Sequence, residues 1–159
     1  MNTLVTSAAA AGAALTLATA ALAGDRDVVQ YFYTHVLSDT RSADLSERMN
    51  QVLAPGWASI GDYGGASKRR EQFLAQLQGF GKLIPDLNWK IEEMIESGNR
   101  YVVRGRATGT PAGEFFGVPP SGKRFEIMSV DIHTVEGGRI VQTYHVEDWA
   151  TALRQLKAN

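Results

Sequence analysis

The chain has 159 residues, in which 16 Lys and Arg nearly balance 17 Asp and Glu, for a formal net charge of −1. Such a balance supplies no net field to draw the protein to nucleic acid or an anionic membrane. There is no cysteine, which excludes disulfides, thiolate chemistry, cysteine-ligated zinc and a lipid-modified N-terminal cysteine, and suits an oxidising compartment.

Residues 1–23 carry no charged side chain and end in Ala21-Leu22-Ala23, a small-residue pattern that suits signal peptidase. The apolar stretch is Ala-rich and short for a bilayer span. The expectation is a signal peptide over 1–23, a single domain over 24–159, and a periplasmic or secreted protein with no membrane attachment after cleavage.

Asp25 or Asp27 can cap a first helix whose apolar residues Val28, Val29, Phe32 and Val36 recur at helical spacing. His35 reads as a polar residue on it. A second helix has Ser42 as candidate cap and Leu45, Met49, Val52 and Leu53 as its buried stripe. Pro55-Gly56 ends it, and Trp57–Ile60 is short and apolar enough for a strand. The basic run Lys68-Arg69-Arg70 reads as a solvated face opening a third helix, from Ser67 to about Leu83. From Leu87 the period changes to two. Trp89, Ile91 and Ile95 alternate with polar residues, and Ser97-Gly98-Asn99 turns the chain into a second strand. Residues 110–122 hold three prolines and form a loop. Two more strands, Arg124–Val135 and Arg139–Glu147, precede a helix capped by Asp148. Helices first and antiparallel strands afterwards predict an α+β domain with helices over one face of a curved sheet.

The register of the last hairpin decides which side chains meet. A two-residue loop of Gly137-Gly138 sends Asp131 and His145 to opposite faces. A three-residue loop, Glu136-Gly137-Gly138, pairs Asp131 with Thr143 and Ser129 with His145. The latter leaves both faces coherent: Met128, Val130, Ile132, Ile140, Tyr144 and Val146 on one, and Ser129, Asp131, His133, Thr143, His145 and Glu147 on the other. It is therefore the expected register, with Asp131 and His145 as diagonal neighbours.

The run Gly113-Glu114-Phe115-Phe116-Gly117-Val118-Pro119-Pro120-Ser121-Gly122-Lys123, Pro85-Asp86-Leu87 ahead of a strand, and Gly138–Val141 ahead of His145-Val146-Glu147-Asp148-Trp149 resemble the SnoaL-like polyketide cyclases, often called ester cyclases. The resemblance spans about Val28 to Leu156. It implies the cone-shaped fold of nuclear transport factor two, closed over a small-molecule pocket. It also implies an intramolecular aldol closure without metal or cofactor, run by an aspartate on the last strand and a histidine on the strand beside it. Here His145 occupies the aspartate's position and Asp131 the histidine's. Ser59 stands at a pocket asparagine's position and Ser129 at a pocket glutamine's.

His145 and Asp131 are accordingly the candidate catalytic pair, the carboxylate orienting the imidazole as a general base. Ser59, Trp57, Ser129, His133, Phe115 and Phe116 are the candidate pocket lining. Phe115, Phe116 and Val118 either close the pocket mouth or pin their loop to the core, and Trp57 and Trp89 either line a cavity or fill the core. Ser129, His145 and Asp131 lack the strained turn and oxyanion donors of a nucleophilic triad. The His and carboxylate spacing carries no metal signature. The expected partner is a small apolar or polyketide-like carbonyl compound, with no cofactor, metal or nucleic acid. Two function classes fit: a cofactor-independent cyclase, isomerase or lyase, and a non-catalytic small-ligand binding or scaffold domain. An apolar outer sheet face predicts a homodimer through the sheet.

Overall fold

The computed structural model describes residues 24–157, so the expected signal peptide lies outside the described residues. Helix α1 (Asp25–Tyr31) starts at Gly24 with no side-chain cap; Asp25 and Asp27 instead sit in its first turn, where carboxylates favour the helix dipole. It runs directly into a π-helical segment, Phe32–Leu37, in which the Ser38 N–H reaches the Tyr33 carbonyl five residues back at 3.2 Å. The Ser38 hydroxyl closes this segment. It accepts the Trp89 N–H at 2.8 Å and stands 2.8 Å from the Tyr33 carbonyl and 3.1 Å from that of Trp89. Helix α2 (Leu45–Val52) is entered at Asp44, with the Ser42 hydroxyl bonded to the Asp44 carboxylate rather than capping the helix.

Strand β1 (Leu53–Ile60) follows at once, longer than the four residues expected, because Pro55-Gly56 bows the strand instead of ending it. Helix α3 (Arg70–Leu83), strands β2 (Asn88–Ser97), β3 (Arg100–Gly109), β4 (Phe125–Glu136) and β5 (Arg139–Glu147), and helix α4 (Trp149–Lys157) complete the chain. The five strands form one curved, open sheet in the order β1-β5-β4-β3-β2. All neighbours are antiparallel except β1 and β5. A strand separated from its partner by a helix and three further strands is free of the hairpin constraint, and β1 uses that freedom to pair parallel.

The expected three-residue register of the last hairpin is corrected. Glu136 pairs with Arg139 across a two-residue Gly137-Gly138 turn, and both glycines have positive φ, 56° and 71°, as the hairpin twist demands. Between Thr134 and Val135 the pairing then shifts, because Val141 on β5 is an extra, bulged residue. The bulge restores the face that the two-residue turn alone would have inverted. Asp131 consequently lies directly opposite His145, and His133 opposite Thr143. The predicted grouping of the polar face holds, with the pair closer than diagonal.

That polar face looks toward the helices. Ser129, Asp131, His133 and Thr143 are all buried, while Met128 and Val146 on the other face are more than half exposed. Most of the core is apolar and packs between this inner face and α1, α2 and the π segment.

Candidate active site

The inner face and the helices enclose a cavity of about 140 Å³. Six aromatic rings, Phe32, Trp57, Phe73, Phe80, Trp89 and Trp149, wall it. Its polar lining includes Ser59, Lys68, Asp131, Thr143, His145 and Glu147. Trp57 and Trp89 therefore do both things expected of them, being buried in the core and lining the cavity.

His145 does not take its orientation from Asp131. Its Nδ1 lies 2.7 Å from Glu147 Oε1, a partner two residues along β5 on the same face. In the neutral ring this contact puts the hydrogen on Nδ1 and leaves the lone pair on Nε2. Nε2 is buried and has no partner among the described residues. It is covered by Gly61: a methyl group at that position would stand 3.1 Å from both Nε2 and Cε1, tight enough to push the ring. The backbone approaches the imidazole this closely only because position 61 has no side chain.

Asp131 is held from behind by buried groups. The Tyr33 hydroxyl, delivered by the π segment, donates to Oδ2 at 2.6 Å, and the Ser129 hydroxyl lies 3.3 Å from the same oxygen. Burial pushes the Asp131 carboxyl up to about 6, with the Glu147 charge adding to the rise, against the Tyr33 hydrogen bond and the nearby imidazole of His145. Asp131 thus changes charge near pH 6. Tyr33 is pushed upward, first by burial and then by the Asp131 charge, so it keeps its hydrogen. His133 contacts Tyr33 through Nε2 (3.1 Å) and Thr143 through Nδ1 (3.0 Å), and burial drives its ring down to about 3. It is a neutral histidine.

Four of the expected site residues, Trp57, Ser59, Asp131 and His145, share the cavity. Ser129 and His133 do not line it but sit behind Asp131, because the helix side of the sheet fills their positions with Tyr33 and Phe32. Phe115 and Phe116 are also off the lining. Phe115 is buried against Phe125 and Trp149, pinning its loop, while Phe116 turns outward with φ 47°. The loop meets the cavity wall at Trp149, against which both Phe115 and Phe116 pack. The basic run is not uniformly solvated either. Arg69 and Arg70 donate to the Gly56 carbonyl and to Asn50, whereas Lys68, whose backbone bridges Ser59 in both directions at 3.0 Å, lines the cavity.

Sequence reasoning missed Tyr33, which looks like one more apolar position in a helical stripe. It also missed the roles of Glu147 and Lys68; alternation along β5 had placed Glu147 on the correct face. Among the described residues no three His, Asp or Glu side chains are grouped as metal ligands would be, and no described helix is long and apolar enough to cross a membrane.

The sequence pattern of the family described as SnoaL-like polyketide cyclase matches residues 27–156. The chain belongs to that family. Among solved structures the SnoaL-like chain is similar to IdmH of Streptomyces antibioticus, a candidate polyketide cyclase, with 29% identity and a TM-score of 0.71 over 83% of this chain and 97% of IdmH. It shares its fold with a candidate SnoaL-like polyketide cyclase of Jannaschia sp. CCS1 (22% identity, TM-score 0.71, 85% and 92% of the two chains). TsrD of Streptomyces laurentii is comparable (22%, 0.68, 84% and 95%). No protein of curated function matches the chain. The SnoaL-like domain thus has the fold of nuclear transport factor two that the resemblance implied.

Proposed function

We propose that this SnoaL-like protein carries out cofactor-independent proton transfer next to a carbonyl, in a cyclisation, isomerisation or dehydration of a small aromatic or polyketide-like compound. One arrangement carries the reading: a Glu147-oriented imidazole directly opposite a buried carboxyl that changes charge near pH 6, both on an aromatic cavity. His145 Nε2 takes the α-proton, and Glu147 balances the imidazolium. Ser59 and Lys68 supply a hydroxyl and a cation for the enolate oxygen. In an aldol closure the enolate carbon forms the new bond to a second carbonyl, Asp131 gives its proton to the resulting alkoxide, and the proton on His145 returns to Asp131. No atom is lost. A cavity of about 140 Å³ is close to the size that takes a single aromatic ring.

The covered Nε2 favours a second reading, a binding domain without turnover, unless the segment around Gly61 moves aside. Acetophenone in D2O separates the two. Catalysis predicts deuterium exchange at its methyl group that falls roughly a hundredfold or more in His145→Asn. Exchange by the native protein at the rate of that variant would leave only binding.

Two further features belong to this reading. The apolar, Ala-rich leader ending in the small-residue pattern Ala21-Leu22-Ala23 supports export, and N-terminal sequencing of protein exported by its host would show a start at Gly24. The exposed Met128, Val146 and Ile95 of the outer sheet face support a homodimer.

A further inference from the structure

Five buried groups form a hydrogen-bonded row that starts and ends on the cavity wall and passes behind it: Trp57, Thr143, His133, Tyr33 and Asp131. An indole N–H can only donate, so Trp57 gives its hydrogen to Thr143 Oγ1 at 3.1 Å. The Thr143 hydroxyl then has its own hydrogen for His133 Nδ1, which must be the unprotonated nitrogen. His133 Nε2–H in turn donates to the Tyr33 oxygen, and Tyr33 O–H to Asp131 Oδ2. The opposite direction leaves a defect. Were Tyr33 to donate to His133, Thr143 Oγ1 would accept from both Trp57 and His133 Nδ1–H, which its two lone pairs allow, but the Thr143 hydrogen would then have no acceptor among the described residues. Burial prevents His133 from carrying both hydrogens.

We propose that this row is a one-way donor relay that makes Tyr33 a positioning residue for Asp131: it occupies Oδ2 and leaves Oδ1 as the oxygen that carries the exchangeable proton on the cavity side. Both protein contacts of the carboxyl, from Tyr33 and from Ser129, fall on Oδ2, and Oδ1 has no partner among the described residues although the side chain lines the cavity. The titratable or charged groups around Asp131 are His145 and Glu147 on β5, Tyr33 on the π segment, His133 on its own strand and Lys68 on the same cavity. β3 presents only Val103 opposite. The relay gives an anchored carboxyl a defined face for proton release: the Oδ1–H bond breaks, the new alkoxide gains the proton, and Tyr33 steadies the carboxylate left behind.

The inference rests on Asp131 being the acid of the proposed reaction, but its tests are titrations of the free protein. Nitrogen NMR of histidine-labelled full chain should show His133 neutral with the hydrogen on Nε2. Carboxyl carbon NMR should show Asp131 titrating near 6, moving upward by about one unit in Tyr33→Phe, because the ionised form loses its nearest donor, and by less in Ser129→Ala. Thr143→Val leaves Tyr33 in place and should release His133 into a mixture of tautomers. A Tyr33 that only fills space would lower Tm without moving the Asp131 midpoint. A hydrogen on Nδ1 of His133 in the native protein, or an unmoved midpoint in Tyr33→Phe, overturns the relay. If the relay fails while acetophenone exchange persists, the acid/base reading stands without it. If the titrations behave as expected while exchange is absent, the relay is real and the catalytic reading falls.

Discussion

At the scale of single residues, the site depends on contacts too short to tolerate substitution. Gly61→Ala needs no unusual backbone, yet its methyl would press on the reacting edge of His145 and turn the ring away from Glu147. We expect a loss of exchange activity of about tenfold or more with Tm almost unchanged, and Glu147→Gln should do the same by removing the charge that balances the imidazolium. Equal losses of stability and activity in both variants would argue against an orienting role. Asp131 and His145 were legible in the sequence because period-two alternation sorts a strand into faces whatever its exact pairing. Tyr33 was not, since its hydroxyl matters only through a π-helical turn that no residue pattern marks, and Lys68 was hidden inside a basic run whose two arginines behave structurally.

At the scale of elements, the π segment and the β5 bulge do comparable work: each spends one extra residue to re-aim a side chain. The Ser38 hydroxyl secures the first, joining the end of the π segment to Trp89 on β2. Ser38→Ala leaves the Trp89 N–H without its acceptor, and urea unfolding should show a loss of about 1–3 kcal/mol; no measurable change would mean that water replaces the hydroxyl. The bulge explains why the turn was misread from sequence while the polar face was read correctly; Ile140, which precedes the bulge, lies opposite Val135 and is buried on the inner face instead of the outer one. Gly137-Gly138 fits a two-residue turn, the apolar pattern demands the opposite parity, and Val141 reconciles them by a local irregularity that neither signal contains alone. The helices and strands themselves were legible from apolar spacing. The parallel pairing of β1 was not, because it depends on how α2 and α3 carry that strand to the sheet edge.

At the scale of the whole molecule, two buried groups set opposite pH dependences. Asp131 is raised in the folded state, so its contribution to stability is complete below about pH 4 and is lost as pH rises through about 6. His133 is lowered to about 3, so its contribution is complete above about pH 6.5 and is lost as pH falls. Between about pH 4 and 6 the two slopes nearly cancel, each being of the order of a few kcal/mol over its range. Asp131→Asn removes one of them. Denaturant unfolding should then show stability falling as pH drops from 6.5 toward 4, where the native chain is nearly flat; identical pH profiles would show that these groups are not the ones titrating. For the proposed homodimer, light scattering should give twice the mass of the chain, and Val146→Asp, placed on the exposed apolar face, should shift it to monomer.

Gly61 lying against His145 also makes the protein its own reporter. Of the three histidines, His35 is exposed, His133 is sealed in the core, and His145 hides its free nitrogen under the backbone. An acylating reagent such as diethyl pyrocarbonate should therefore label one ring promptly and a second only as fast as Gly61 lifts. The slow phase would time the opening that any substrate must wait for.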